Sequence, residues 1–212
     1  MIMETNPPSK SDRTSRAILD SAYDLFSLQG YAATSMRQIA KGAELALGGI
    51  YNHFSSKEAI FQAILLERHP FFQILPLLKT TRGDTVDEFI RNAARSLVDE
   101  LDHHTEFLNL MLIELVEFNG QHAPLLLEKI TPDLMQTAGQ MGSFQDELRS
   151  IPTPLLMRAF LGMFFSYFIT DRLFNSVKQP ELQVTALDVF VDIFLNGIKQ
   201  PAPQAAPRLP AK

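Results

Sequence analysis

The chain has 212 residues, of which 46% are hydrophobic, and it contains no cysteine. This length and composition suffice for a packed core, and the lack of cysteine excludes disulfides and thiolate chemistry. The net charge of −5 argues against a protein that coats nucleic acid over its whole surface. Residues 10–57 are slightly basic, with six Lys or Arg against four Asp or Glu, so a nucleic-acid site has to be identified from local geometry.

The two ends of the chain lack any apolar repeat. Residues 1–10 and 201–212 are rich in Pro, Ser and Ala, and we predict disordered tails there. No apolar leader with a cleavage site follows Met1, so we expect a cytoplasmic protein. The most apolar stretch, 159–169, is shorter than the roughly 20 residues of a membrane span, so we interpret it as part of a buried helix and expect no membrane partner.

Three short helices are predicted within the first 54 residues. The first has apolar residues every three or four positions and ends at Gly30. Ser35 and Gln38 have the spacing of a capping box at the start of the second helix, and Ser55 and Glu58 repeat it at the start of a fourth. The predicted ranges of the three helices are 13–29, 36–41 and 46–53.

The rest of the chain is also predicted to be helical. Pro70 and Pro76 should kink or break whatever follows the fourth helix, and Thr131 with Pro132 marks either a kink or a new helix N-terminus. Since no run of residues alternates with period two for long enough to predict a strand, the expected fold class is all-α. The predicted helices are 57–69, 84–103, 106–118, 124 to about 148, 154–174 with Thr153 as its cap, and a last one from Pro180 or Glu181 to Gly197.

Two short helices joined by a tight turn, after a packed first helix, are the components of a helix-turn-helix. Gly48 and Gly49 lie inside the third predicted helix, where each costs about 1 kcal/mol relative to alanine. Close approach to a DNA groove would compensate, because a Cβ would hold the helix away from the groove. The hydrogen-bond donors around these glycines, which are candidates for phosphate contacts, are Tyr51, Asn52, His53 and Lys57. An alternative interpretation makes Tyr51 and Phe54 ordinary core aromatics and the polar residues solvated.

Two segments around the second and third predicted helices carry a recognisable sequence pattern. Thr34-Ser-Met-Arg-Gln-Ile-Ala40 is followed by Gly48-Gly-Ile-Tyr-Asn-His-Phe-Ser-Ser-Lys-Glu58, and Phe26 with Gly30-Tyr31 ends the first helix. This pattern, over roughly residues 13–65, resembles the tetracycline-repressor (TetR) family. The resemblance implies that the third helix enters the major groove while Tyr51, His53 and Lys57 hold phosphates. The full set of predicted DNA-contacting residues is Ser35, Arg37, Leu47, Gly48, Gly49, Tyr51, Asn52, His53 and Lys57, with Leu47 a candidate for a thymine methyl contact.

The turn before the third helix departs from the family pattern. Glu44 and Ala46 stand where the family usually has Gly and Ser. Ala46 cannot cap the third helix, which costs about 1 kcal/mol, and Glu44 in a left-handed conformation costs about 1 to 2 kcal/mol more. Either this protein binds DNA more weakly than its relatives, or Gly42 ends the second helix and the turn has a different shape.

The helix that begins at Pro154 has an apolar stripe wider than one buried face requires. Pairing it and the last helix with their copies in a second subunit would form a twofold four-helix bundle, and Gly162 would allow close approach. The alternative is that both stripes are used inside one subunit. The predicted homodimer interface comprises Leu155, Ala159, Gly162, Met163, Tyr167, Val189, Phe190, Ile193 and Phe194.

Sixteen phenylalanines and eight methionines, with no tryptophan, indicate a soft interior that could hold an apolar molecule of drug size. Core packing alone also explains such residues, and it is the family resemblance that favours a pocket. The predicted lining residues are Phe61, Phe72, Phe107, Met111 and Phe164. The predicted polar anchors are Asn109, Glu114 and Arg158.

These features together predict a ligand-responsive regulator with no enzymatic activity, cofactor or metal. Its DNA-binding domain is expected at 11–57 and its ligand-binding and dimerisation domain at 58–200. We expect a repressor that binds a palindromic double-stranded operator as a homodimer and is released by a small apolar effector. One alternative is a dimeric small-molecule-binding or interaction module with weak or lost DNA binding. Another is a metal hydrolase built on His103, His104, Glu106 and His122, which is disfavoured because adjacent helical histidines point about 100° apart.

Overall fold

The computed structural model describes residues 9–104, 107–174 and 186–200. Within these ranges the chain forms α-helices, one 3₁₀ helix and a single isolated bridge between Leu148 and Lys199, and no strand. The prediction of an all-α fold is therefore confirmed. The helices are α1 (Lys10–Gln29), α2 (Met36–Gly42), α3 (Leu47–Tyr51), α4 (Lys57–Arg68), α5 (Phe71–Thr80), α6 (Val86–His103), α7 (Phe107–Glu117), α8 (Ala123–Gly139), the 3₁₀ helix (Gln140–Phe144), α9 (Thr153–Phe174) and α10 (Ala186–Ile198).

The chain divides into two compact units, and the first comprises Met1–Phe72 and His103–Pro132. Unit 1 thus contains α4 and α7 in addition to the predicted helix-turn-helix segment. Its apolar core collects side chains from all of these helices, so α1 and α2 are packed on the same core as α4 and α7. The buried residues of this core include Ile18, Phe26, Ile39, Ile50, Phe61, Ile64, Leu110 and Ile113.

The helix starts in unit 1 are set by serine caps. The Ser9 side chain and Asp12 form a capping box, so α1 begins at Lys10 rather than at the predicted residue 13. The predicted capping box of Ser35 and Gln38 is present at α2. At α4 the cap is Ser56, whose hydroxyl accepts from the Ala59 N–H, and not the predicted Ser55.

The histidine that follows α4 is buried against two phenylalanine rings. His69 is 4% exposed, and its ring centroid lies 4.6 Å from those of Phe71 and Phe107. Its Nδ1 accepts a hydrogen bond from the Phe71 N–H at 3.3 Å, which requires an unprotonated nitrogen. Burial lowers the pKa of His69 to about 3.

Unit 2 comprises Gln73–Asp102 and Asp133–Lys212. Its core is built on one stripe of α9, in which Leu156, Phe160, Phe164 and Phe168 recur every four residues. The Phe194 ring of α10 packs against this stripe. One face of α6 is buried as well, at Phe89, Ala93, Leu97 and Leu101.

The prolines disturb the helices less than predicted. Pro70 does separate α4 from α5, but Pro76 lies inside α5 and Pro132 inside α8, so neither starts a new helix. Both lie on the exposed side of their helix, where water can hydrogen-bond the carbonyl that the missing N–H leaves free. The segment predicted as helix up to about residue 148 ends instead at Gly139 and continues as the 3₁₀ helix. Three predictions lie outside the described residues: the two tails apart from Ser9 and Lys10, the start of the last helix at Pro180 or Glu181, and the role of Glu106.

Helix α9 has nearly the predicted bounds and begins at Thr153, the residue predicted as its cap. It has 22 residues, and its most apolar 18-residue window has a mean hydropathy of 1.3 with 28% of its residues buried. By length and composition alone it could therefore cross a membrane. Core helices of soluble proteins also meet this criterion of length and composition. In the single subunit one stripe of α9 is buried and the opposite side is exposed, so residues 159–169 are only partly buried there.

Candidate nucleic-acid interface

The turn between α2 and α3 has the strained form that its sequence predicts. Glu44 has a φ of 56°, in the left-handed region, and Ala46 stands at the N-cap of α3 with no side chain that can accept a hydrogen bond. The turn is closed by the Leu45 N–H, which donates to the Ala40 carbonyl at 2.8 Å. Both predicted departures are therefore confirmed, and α3 begins without the usual side-chain cap.

Gly42 ends α2 and allows it to lie against α1. A Cβ at this position would be 2.2 Å from Ser21 Oγ, and that hydroxyl donates to the Ile39 carbonyl at 3.0 Å. Any larger residue would push α2 away from α1 or break this buried hydrogen bond. The absence of a side chain here is thus explained by packing inside the subunit.

Packing inside the subunit does not explain Gly48 and Gly49. Among the described residues, no heavy atom lies within 4 Å of a Cβ built on Gly48, and the only neighbour of one built on Gly49 is Leu45 Cβ at 3.9 Å, an ordinary contact. Ile50 is the buried residue of α3, while Leu47 and Tyr51 are 36% and 52% exposed. The α3 helix therefore presents a glycine face with large exposed side chains on either side.

The polar candidates around α3 differ in how they are held. Asn52 and Arg37 are exposed. His53 is half-buried, and its Nδ1 lies 2.9 Å from the Ser15 hydroxyl of α1, a partner that the sequence analysis missed. The exposed Ser35 is engaged in the capping box with Gln38.

Lys57 is tied to the turn between α1 and α2. Its Nζ donates to the carbonyls of Tyr31 at 2.6 Å and Thr34 at 2.7 Å, and it lies 4.0 Å from the centre of the Tyr31 ring. Burial lowers the pKa of Lys57, whereas the charge of Glu117 acts in the opposite direction. An ammonium has three donors, so one remains for a phosphate.

The short helices, the turn and the exposed face of α3 together form a helix-turn-helix, and the comparisons agree with this geometry. Residues 18–64 match the family model described as bacterial regulatory proteins, tetR family. This DNA-binding segment belongs to the tetR family. The resemblance noted in the sequence is thereby confirmed, and the protein is a helix-turn-helix transcriptional regulator.

Relatives of this tetR family member are similar over very different lengths. The HTH-type transcriptional regulator YvkB of Bacillus subtilis is 26% identical over 87% of this chain and 97% of its own. UidR of Escherichia coli K12, another HTH-type transcriptional regulator, is 38% identical, but only over 31% of this chain and 33% of its own. The crystal structure of NalD, the secondary repressor of the MexAB-OprM multidrug efflux pump in Pseudomonas aeruginosa, has the same fold, with a TM-score of 0.61 and 20% identity over 90% of this chain and 99% of its own.

The predicted effector-binding residues are divided between the two compact units. Phe61 and Glu114 are buried in unit 1 and Asn109 is exposed there, whereas Phe164 is buried in the core of unit 2 and Arg158 is exposed. Phe61 packs against Phe118 and Glu114 pairs with His122, so both are engaged in the core of unit 1. The remaining predicted residues, all in unit 1, are Phe72, Phe107 and Met111.

Unit 2 contains an apolar cavity of about 30 Å³ that the sequence analysis missed. Its walls come from α5, α6, α8, α9, α10 and the 3₁₀ helix, and none of the eight predicted effector residues lines it. The described residues around it are Leu78, Phe89, Ile90, Ala93, Thr137, Met141, Leu156, Met157, Phe160 and Phe194. The apolar face of α6 was the one sequence feature that pointed to this cavity. Composition does not reveal which distant segments of the chain meet around it.

The predicted dimer face of α9 and α10 is largely exposed in the single subunit. Leu155, Val189 and Ile193 are 56%, 49% and 57% exposed. Phe194 differs from the prediction, since it is buried against Phe160 and Phe164, and we leave it out of the interface. The other predicted residues are Ala159 and Gly162, which are exposed, and Met163, Tyr167 and Phe190, which are half-buried.

The histidines of the alternative metal site are not arranged around an ion. Among the described residues, no group of three or more Asp, Glu or His side chains could hold a metal. His122 faces Glu114 through Nδ1 and Glu58 through Nε2, on opposite sides of its ring. The ring is therefore engaged by two carboxylates within unit 1.

Proposed function

We propose that this tetR family regulator is a repressor that contacts DNA through α3. The observation that carries the proposal is the empty space around Gly48 and Gly49. Each glycine costs up to about 1 kcal/mol relative to alanine, and the subunit itself does not need either of them. A major groove would need them, because the backbone of the helix can then approach the base edges.

The proposed DNA contacts surround this glycine face. Leu47 and Tyr51 are exposed on α3, and Lys57 has one donor left for a phosphate. His53 reaches a phosphate with the ring nitrogen that Ser15 does not use. Ser35, Arg37 and Asn52 complete the proposed set.

We propose further that the protein acts as a homodimer through α9 and α10. These helices have a buried stripe inside unit 2 and a second, exposed stripe of Leu155, Val189 and Ile193. An exposed apolar stripe of this kind is favourable only when it is covered, and a twofold four-helix bundle covers it with an identical stripe. Such a dimer presents two α3 helices to one face of DNA, about 34 to 36 Å apart, and reads a palindrome.

The proposed effector site is the apolar cavity of unit 2. At about 30 Å³ it is far below the roughly 300 Å³ or more of a drug-sized pocket, so it has to open when an effector binds. Met141 and Met157 line it, and methionine side chains rearrange easily. Leu78 on α5 and Thr137 on α8 also line it, and both helices continue along the chain into unit 1. Displacing them is the proposed route by which a small apolar molecule releases DNA, in the cytoplasm and without catalysis or a cofactor.

Selection of DNA by the purified protein tests this function. The full chain is incubated with a random-sequence duplex library at low salt, and the bound duplexes are sequenced and titrated by gel shift. The expected result is a palindrome with half-sites about one helical turn apart, bound by a dimer. A folded dimer that enriches no sequence would refute the proposal.

A second candidate is a dimeric small-molecule-binding module that has lost DNA affinity. The strained Glu44 and the uncapped Ala46 favour it, because both weaken the presentation of α3. It predicts thermal stabilisation by small apolar compounds without enrichment of any duplex. Release of a selected duplex by the same compounds would instead support the repressor.

A further inference from the structure

Unit 1 contains a buried acid and histidine pair that DNA contact by α3 does not explain. His122 and Glu114 are 3% and 7% exposed. The Glu114 carboxylate accepts the His122 backbone N–H at 2.7 Å through Oε1, and its Oε2 lies 2.8 Å from His122 Nδ1. Both carboxylate oxygens are thus engaged, and the turn between α7 and α8 is held in one conformation.

The same turn points two groups at the first turn of α4. With Nδ1 fixed on Glu114, the other ring nitrogen, Nε2, lies 3.5 Å from Glu58 Oε1. Gln121 Nε2 donates to the same oxygen at 2.9 Å. Glu58 is the second residue of α4, directly after Lys57. The first turn of α4 is therefore held through Glu58 by two residues of the turn between α7 and α8.

The Glu114 carboxylate fixes which way the His122 ring faces. Nδ1 lies against a carboxylate oxygen, which accepts, so this ring nitrogen is the donor to Glu114. The edge of the ring with Nε2 is thereby turned towards Glu58, whose Oε1 also accepts from Gln121.

An aromatic cluster joins this turn to the partner of Lys57. The Phe118 ring centroid lies 4.7 Å from that of His122 and 4.9 Å from those of Tyr31 and Phe61. The Tyr31 carbonyl accepts a hydrogen bond from Lys57. The two neighbours at the start of α4, Lys57 and Glu58, are thus both held by partners that belong to one packed cluster.

We propose that His122 is a positioning residue for DNA binding. Through Glu58 it fixes the first turn of α4, and with it Lys57 and the segment that joins α3 to α4. It touches no DNA itself. The inference rests on the proposed function, because positioning of α4 has a measurable effect only if the protein binds DNA.

The sharpest test is Glu58→Gln, because this side chain is 47% exposed and its replacement should not unfold the protein. Removing a negative charge near a DNA-binding surface should tighten binding by simple electrostatics. If Glu58 instead positions α4, E58Q weakens binding to a selected duplex about twofold to fivefold, with an unchanged melting temperature. The matched control is Glu44→Gln, an exposed glutamate in the turn before α3, which should bind equally well or more tightly.

A double-mutant cycle with His122→Gln completes the test. Once His122 is replaced, the further change E58Q should no longer weaken binding, whereas it weakens binding in the wild type. Titrations are done well below the melting temperature of each variant. The inference is overturned if E58Q behaves like E44Q, or if the effects of E58Q and H122Q simply add. Failure of the wild type to enrich any duplex would overturn the proposed function itself, and this inference with it.

Discussion

Replacing Gly48 with alanine separates the needs of folding from those of DNA contact. No described atom lies within 4 Å of the new Cβ, so the subunit accepts the methyl group without a clash. Alanine should stabilise α3 by about 0.5 to 1 kcal/mol, which for a chain of this size raises the melting temperature by roughly 1 to 4 °C. The same methyl group would stand between α3 and the base edges. Losing one good groove contact costs about 1 to 3 kcal/mol, or roughly a 5- to 150-fold loss of affinity.

The change in stability is measured by thermal unfolding, followed by circular dichroism. The change in affinity is measured by fluorescence anisotropy with a selected duplex at one salt concentration. Gly139→Ala is the matched control, because its Cβ would also meet nothing within 4 Å among the described residues, and Gly139 belongs to unit 2. The control should gain stability and keep its affinity. A Gly48→Ala protein that binds the duplex as tightly as the wild type would show that the glycine face does not approach DNA.

Three further changes have defined outcomes. Glu44→Gly should raise the unfolding free energy by about 1 kcal/mol in a urea titration, because a φ of 56° is strained for glutamate and not for glycine; no gain would mean that the turn relaxes. Ile193→Glu should convert a dimer into a monomer in analytical ultracentrifugation, whereas Leu28→Glu, at an exposed position on α1, should not; a dimeric I193E protein would exclude the α9 and α10 interface. His69 has its pKa lowered to about 3, so the unfolded chain takes up a proton that the folded one refuses. The stability is fully present above about pH 6.5 and falls by about 1 kcal/mol per pH unit towards pH 3, and His69→Leu should lose less stability than the wild type between about pH 7 and pH 5.

The parts of the fold that follow from neighbouring residues could be predicted from the sequence. The capping box of Ser35 and Gln38 depends on side chains three positions apart, and the left-handed Glu44 was expected because the family pattern usually has Gly at this position of the turn. The prolines show the limit of this approach. A proline inside a helix loses one hydrogen bond, but Pro76 and Pro132 lie on exposed sides where that loss is small, and burial could not be read from their neighbours.

In the candidate site, too, features formed by neighbouring residues could be predicted, and features formed by distant residues could not. The glycine face of α3 is contiguous in sequence and was recognised from it, whereas the tie between Lys57 and the Tyr31 carbonyl joins residues that are distant in the chain. Composition correctly indicated an interior rich in phenylalanine but not where a cavity lies. Phe61 was predicted to line a pocket and instead packs in the core of unit 1, while Leu78 and Phe160, from separate helices, meet around the cavity of unit 2.

The attachment of α3 to the rest of unit 1 has a consequence for how the protein meets different operators. Its five residues are anchored by the side chain of Ile50, with two glycines before it and no cap at its start. Amide hydrogens in this helix should exchange with solvent sooner than those in the middle of α1, and DNA should slow that exchange. A short helix with one buried side chain can adjust slightly on its support, which would suit a regulator that tolerates sequence differences between half-sites.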